Sequence, residues 1–391
     1  MKVPPISRRG FLASAAALTG LSLTARAEET KFAVARAASP KAGAPVSQLK
    51  VPDLSRVRAL QLTDLHFFCK PTLGLDAQTI EYLPRLIDSA KPDLLLVTGD
   101  LWHDNMNGTG REYMEFAVDK ITALGVPWLF EWGNHDQLDD YAAGHNYLSA
   151  AKHSLYAGGA TGGNYRVEIT GTDGAPRFEF VCVNSSLDGC DDHTVAYLEA
   201  LAAERKDAKR LPAMGVMHIP VRQYFEAWRQ GDATGVCLDS VSYQRERGKT
   251  LPTWKTACDL RACIAGHDHC NNYAGTSEDV TLFYGQSTGA SGYGGDTLPK
   301  GAKLYTINAE TGAMTTEVHF PDGQVWSPQP GWRTENVLDI PWETQKKQKA
   351  KKYRTRPFKL WGGKKRKYGN AFLQIPERSG IWFFHSFPFH F

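Results

Sequence analysis

The sequence predicts an α/β fold. Short apolar runs recur from Arg56 onward, each ends in a polar cluster, and helical patterns lie between several of them. Runs of four to six apolar residues with such ends read as buried strands. Arg58–Leu62 runs into Thr63-Asp64-Leu65-His66, and Leu94–Val97 into Thr98-Gly99-Asp100. Pro127–Phe130 leads to Gly133-Asn134-His135-Asp136, Ala213–Met217 to His218, and Ala262–Ala265 to Gly266-His267-Asp268-His269. Phe178–Val183, Val280–Tyr284 and Lys303–Asn308 read as further strands. Ala77–Ala90 reads as a helix, with Leu83, Leu86 and Ile87 on one face. Tyr113–Leu124 and Ala196–Arg205 read as two more. Ligands in α/β folds collect beyond the carboxyl ends of strands, which is where these polar clusters fall.

The flanks differ from this core. Residues 28–55 are rich in Ala, Pro, Lys and Ser and read as a linker. The globular domain is expected over residues 56–320, with an extension over 321–345. Residues 346–391 form a tail with twelve Lys or Arg before position 368 and an aromatic-rich end, expected to be disordered. Residues 28–345 hold 28 Lys or Arg against 41 Asp or Glu, so an acidic body carries basic ends. No specific nucleic-acid partner is expected from such a body.

Ser7-Arg8-Arg9-Gly10-Phe11-Leu12 precedes an apolar stretch from Ala13 to Ala25, followed by Ala25-Arg26-Ala27. Residues 1–27 therefore resemble a bacterial twin-arginine signal peptide. The resemblance implies the twin-arginine export machinery as a partner and a periplasmic or secreted location. The apolar stretch is short for a membrane span, and none is expected in the mature protein. The seven cysteines form no C-x-x-C pair, which argues against a zinc ribbon or a thioredoxin-like site. Cys182 and Cys190 are close enough in sequence to close a short loop.

The chemistry lies in the ordered set Asp64-x-His66, Asp100, Asn134-His135-Asp136, His218 and His267-x-His269. Side chains at i and i+2 beyond a strand leave the same face, so Asp64 and His66 pair naturally, as do His267 and His269. The donors are nitrogen and oxygen without thiolate, which favours Fe, Mn or Zn in a catalytic site over a structural zinc. Each motif alone is weak, but five in order at strand ends point to a metal site. His135 is the candidate catalytic side chain. Asp136 has two readings: it orients His135 by a hydrogen bond, or it caps a turn. His103, Asp104, Asp268 and Tyr293 read as rim or supporting residues, and His145, His153 and His193 as structural.

These motifs resemble the calcineurin-like metallophosphoesterase superfamily over about Arg56 to Asn308. The resemblance implies a two-sheet αββα sandwich with two divalent or mixed-valence transition metal ions at the strand carboxyl ends. Asp64, His66 and His269 would hold the first metal and Asn134, His218 and His267 the second, with Asp100 between them. It further implies hydrolysis of a small phosphate ester, mono- or diester, by a metal-bridging hydroxide with His135 assisting. Asn164-Tyr165, His218-Ile219-Pro220 and the Gly-rich run Tyr284–Gly295 are similar to the purple-acid-phosphatase-like branch of plants and fungi. True purple acid phosphatases place an iron-binding Tyr three residues after the bridging Asp; this chain has His103 there. They also open with Asp-x-Gly where this chain has Asp-x-His. The resemblance therefore implies a colourless centre. A competing reading from another class is a binding or surface-association protein acting through the 346–391 tail.

Overall fold

The structure is a computed structural model that describes residues 34–36, 45–185, 187–336 and 339–340. Its strands in chain order are β1 (Val34–Arg36), β2 (Val46–Lys50), β3 (Val57–Leu62), β4 (Leu94–Thr98), β5 (Trp128–Glu131), β6 (Tyr165–Thr170), β7 (Pro176–Cys182) and β8 (Pro212–Val216). They continue with β9 (Thr234–Cys237), β10 (Asp259–Ala265), β11 (Asn271–Ser277), β12 (Val280–Tyr284), β13 (Ala302–Ile307), β14 (Met314–His319), β15 (Val325–Trp326) and β16 (Arg333–Thr334). The α-helices are α1 (Leu75–Ala90), α2 (Gly110–Thr122), α3 (Tyr141–Ala150), α4 (Asp192–Glu204), α5 (Gln223–Gln230) and α6 (Thr250–Ala257).

The strands form two sheets. One runs β15-β14-β13-β3-β4-β5, and the other β1-β2-β6-β7-β8-β10-β12-β11-β9-β16. β3, β4 and β5 are mutually parallel, as are β7, β8, β10 and β12. Parallel strands covered on both faces read as continuous apolar runs, and Leu94, Leu95, Leu96 and Val97 are all fully buried. The larger sheet shows its two faces by alternation. Phe178, Phe180, Cys182, Met214, Val216, Ala262 and Ile264 join the core shared with β3–β5 and with Leu83, Leu86, Val118 and Ile121 of α1 and α2. The intervening Val181, Ala213, Cys263 and Ala265 face a second core with Leu198 of α4, Tyr224 of α5 and Trp254 of α6. The order of layers is helix, sheet, sheet, helix, the sandwich that the resemblance implied.

The expected strands and helices all form, with ends moved by up to four residues. α4 starts earlier than expected because Asp191 caps it: Oδ1 accepts from His193 N at 3.0 Å and Thr194 N at 3.1 Å.

Three expectations differ from the structure. The expected linker 28–55 contains β2, which pairs parallel with β6 and buries Ser47 and Leu49. Its polar composition hid it, because only alternate residues of the strand face the core. The expected extension 321–345 contributes β15 to one sheet and β16 to the other. Cys182 and Cys190 do not pair: Cys182 points into the inter-sheet core, Cys190 joins the outer core, and all seven cysteines are free.

The twin-arginine stretch, residues 1–27, and the tail, residues 346–391, lie outside the described residues. No helix among the described residues is long and apolar enough to cross a membrane.

Candidate metal centre

Five strand ends deliver the predicted side chains. Asp64 and His66 follow β3, Asp100 follows β4, Asn134 and His135 follow β5, His218 follows β8, and His267 and His269 follow β10. The first three strands belong to one sheet and the last two to the other, so the site sits where both sheets end. Asp64, His66, Asp100 and His267 all have left-handed backbones, with φ of 53°, 48°, 51° and 81°. Such conformations are uncommon outside glycine and gather at functional sites, held by the surrounding structure. Backbone bonds do the holding here: Asp64 N donates to Gly99 O at 3.1 Å and His66 N to Asp100 O at 2.9 Å. Gly99, at φ 84°, is required twice over, since a Cβ there would lie 2.5 Å from His218 Nδ1.

The ligand atoms fall into two groups, Asp64 with His66 and His269, and Asp100 with His218 and His267. Asn134 Oδ1 lies 3.1 Å from His218 Nε2 and joins the second group. Asp100 Oδ2 lies between the groups, 3.4 Å from His66 Nε2 and 3.3 Å from His218 Nε2. The geometry therefore brings all seven predicted ligands together and sets Asp100 in the middle.

The chemistry of the donors fits cations. His218 Nδ1 lies 2.9 Å from Thr98 O, and His269 Nδ1 lies 3.1 Å from Tyr293 O. A carbonyl can only accept, so each Nδ1 carries the proton, and the neutral ring presents its Nε2 lone pair to the site. At His218 that lone pair meets two further acceptors, Asn134 Oδ1 and Asp100 Oδ2. At His269 it faces His66 Nε2 at 3.0 Å. Asp64 Oδ1 is buried without a hydrogen-bond partner. Convergent acceptors and an orphaned buried carboxylate oxygen are costly unless positive charge lies among them.

The titration tendencies agree. Burial would raise Asp64 and Asp100, but His269 beside the first and His218 beside the second hold both below the usual carboxylate range. Burial drives His66 well below its ordinary value, and burial with the His218 charge lowers His267 to about 4. Burial would also lower His218, yet the Asp100 carboxylate overrides it and raises the ring to about 10. With protons as the only cations, the site recruits one onto His218.

His135 stands beside this cluster, half-buried, its backbone N–H donating to Asp100 Oδ1 at 2.8 Å. Its Nδ1 lies 2.7 Å from Asp104 Oδ1. Asp104 Oδ2 lies 3.2 Å from His103 Nε2, and His103 Nδ1 lies 3.1 Å from His66 Nδ1. Asp104 is thus the carboxylate that orients His135. Asp136 does not reach that ring: Oδ1 accepts from Leu101 N and Trp102 N, and Oδ2 from Gly133 N. Its bonds follow the turn-capping reading. Both carboxylates follow a Gly-Asp or Asn-His motif, and spacing alone does not say which one the imidazole meets.

The sequence pattern described as calcineurin-like phosphoesterase matches residues 57–271, more than half of the chain. The chain belongs to the calcineurin-like phosphoesterase family. It is 24% identical over 325 residues to a protein of Arabidopsis thaliana named probable inactive purple acid phosphatase 28, covering 70% of this chain and 80% of the relative. It is 27% identical over 260 residues to a Schizosaccharomyces pombe protein named Uncharacterized protein C1020.05, covering 60% of this chain. The match spans about half of that relative, 49%. Among solved structures, a dimetal phosphatase from Danio rerio is similar with a TM-score of 0.44 at 14% identity, covering 66% of this chain and 98% of that one. Hydrolysis of phosphoric esters and a binuclear metal centre go with this family, and two candidate ligand groups stand side by side here.

The phosphoesterase centre opens into a cleft of about 340 Å³ lined by His66, Lys70, His103, His135, Ser242 and Tyr293 among others. Asp268, between two predicted ligands, lines the cleft and accepts from Ser242 N at 2.8 Å and from the Tyr284 hydroxyl, bonds that brace the loop. Tyr165 links the sheets: its hydroxyl accepts from Phe130 N at 3.0 Å and donates to Phe130 O at 2.7 Å, just ahead of Asn134. Away from the cleft, His145 Nδ1 pairs with the Tyr156 hydroxyl at 2.5 Å.

Proposed function

We propose that this chain is an exported phosphoesterase that hydrolyses phosphate mono- or diesters with two transition metal ions, Fe, Mn or Zn. The observation that carries the reading is the position of Asp100 Oδ2, within 3.4 Å of Nε2 of both His66 and His218, one imidazole from each ligand group. Asp64, His66 and His269 would hold one ion, and Asn134, His218 and His267 the other, with Asp100 shared. When bound, such a pair supplies an activated water nucleophile near neutral pH and neutralises the phosphoryl oxygens.

The chain's own residues do the rest. The backbone carbonyls of Thr98 and Tyr293 fix the His218 and His269 tautomers, so that both rings aim a lone pair inward. Asp104 accepts from His135 Nδ1 and so turns Nε2 toward the cleft; when the ring carries both protons, Nε2–H can donate a proton to the leaving oxygen or a hydrogen bond to the phosphoryl group. Lys70 lines the same cleft and adds positive charge for an anionic substrate.

The word inactive belongs to the name of the Arabidopsis relative. In this chain every ligand position and His135 hold a side chain able to do its part. Export is supported by Arg8-Arg9 and the apolar stretch behind them, and the twin-arginine machinery would carry the chain to the periplasm or beyond. The test is a panel of phosphomonoesters and diesters offered to purified, metal-loaded protein. Turnover of an aryl phosphate, retained when residues 346–391 are deleted, is expected. Protein that is metal-loaded yet inert on every ester, or that loses its function with the tail, contradicts the reading and favours a binding protein.

A further inference from the structure

Among the described residues, Tyr293 is one of six large apolar side chains left exposed, and it lines the cleft. Its pose is nevertheless fixed from several sides. The ring lies flat on the His269 imidazole, with centroids 3.9 Å apart and planes 13° from parallel. Its hydroxyl accepts from His269 N at 3.2 Å and donates to Asp239 Oδ2 at 3.0 Å. Its carbonyl accepts from His269 Nδ1 at 3.1 Å and from Lys300 Nζ at 2.5 Å. Lys300 is anchored in turn by donating to Ser287 Oγ at 3.0 Å, and Ser287 Oγ donates to Asp64 O at 3.1 Å.

The segment around Tyr293 is glycine-rich, and free glycine-rich chain would not hold an aromatic ring in one place. Here four polar contacts and a stack hold it, while about half of its surface stays open to solvent. One ring face is spent on His269. The structure offers the rest as a planar, apolar wall beside the first ligand group. The other cleft-lining rings are imidazoles of His66, His103, His135, His267 and His269, five groups engaged in the metal and proton chemistry. A pocket that combines one ordered aromatic plane with converging polar groups selects ligands by stacking at the plane and by charge at the polar end.

We infer that Tyr293 is a specificity residue that stacks a planar leaving group, so that the preferred substrates are phosphate esters of aromatic or heteroaromatic alcohols. This rests on the phosphoesterase reading above and narrows its substrate class. Flat offset stacking adds preference for a planar ring over a puckered ring of similar size, which apolar burial alone does not distinguish.

The test uses the full, metal-loaded protein and two non-hydrolysable probes, phenylphosphonate and cyclohexylphosphonate, with Kd measured by calorimetry. Wild-type protein is expected to bind the phenyl compound about fivefold tighter, the ratio produced by roughly 1 kcal/mol of stacking. Tyr293→Phe keeps the ring and is expected to keep the ratio, whereas Tyr293→Leu is expected to bring it to about one. A wild-type ratio near one overturns the inference without any variant. So does a ratio that survives Tyr293→Leu in protein still holding its metals. Wild-type protein that binds neither phosphonate and turns over no ester overturns the phosphoesterase reading itself, a distinguishable failure that takes this inference with it.

Discussion

Asp104 and His135 form a hydrogen-bonded pair, Oδ1 to Nδ1 at 2.7 Å, at the mouth of the metal cleft. The pair fixes which imidazole nitrogen faces the substrate, and the Asp104 carboxylate bonds His135 and His103, neither of them a predicted ligand. Asp104→Asn is therefore expected to lower kcat by roughly 10- to 100-fold, the usual effect of removing a side chain that orients a functional histidine. Metal content should stay at the wild-type level, and KM should move little. Steady-state kinetics with elemental analysis on the same preparation checks this. Unchanged kcat sinks the assigned role.

Asp136 makes a contrasting prediction. Its carboxylate accepts three buried backbone N–H groups, from Leu101, Trp102 and Gly133. Asp136→Ala leaves those donors without partners inside the protein, at about 1 kcal/mol or more each. A loss of roughly 3 kcal/mol in denaturant unfolding is expected, against little loss for Asp104→Asn. Equal stability of the two variants would contradict the structural role given to Asp136.

Much of the fold and most of the site were legible in the sequence because strand ends carry both kinds of signal. Leu94–Val97 is uniformly apolar since it is covered on both faces, and Gly99-Asp100 follows at once. The elements that escaped have weaker patterns. β11, Asn271–Ser277, buries polar residues such as Asn271 and Asn272, and β2 sits in a stretch that reads as linker. α5 and α6 span only eight residues each, too few for a periodicity to stand out. At the site, residue types and order pointed to the candidate ligands that the structure gathers, but the partner of His135 depends on loop geometry. Asp104 reaches it from a left-handed backbone at φ 57°, which no spacing rule encodes. The Lys300–Tyr293–His269 contacts were equally hidden, since they run through a backbone carbonyl.

Lys303 supplies a pH prediction away from the metals. Burial lowers its ammonium from 10.5 to about 7, and its Nζ donates to Tyr284 O. Between about pH 7 and 10.5 the unfolded chain binds a proton that the folded chain does not. Stability should therefore rise with pH across that window, by at most about 1.4 kcal/mol per unit from this group. Lys303→Met should remove that slope. Urea unfolding of both proteins at pH 7 and pH 9 tests it, and parallel pH dependences would contradict the assignment.

The proposed function turns on Asp100 as the carboxylate shared between two metal positions. Its most direct test is the metal content of purified wild-type protein and of Asp100→Asn, measured by elemental analysis after exhaustive dialysis. About two transition metal ions per wild-type chain and a loss of both in the variant are expected, because Oδ2 stands within 3.4 Å of an imidazole of each ligand group. An Asp100→Asn protein that keeps both ions, or a fully active wild type that holds none, would contradict it.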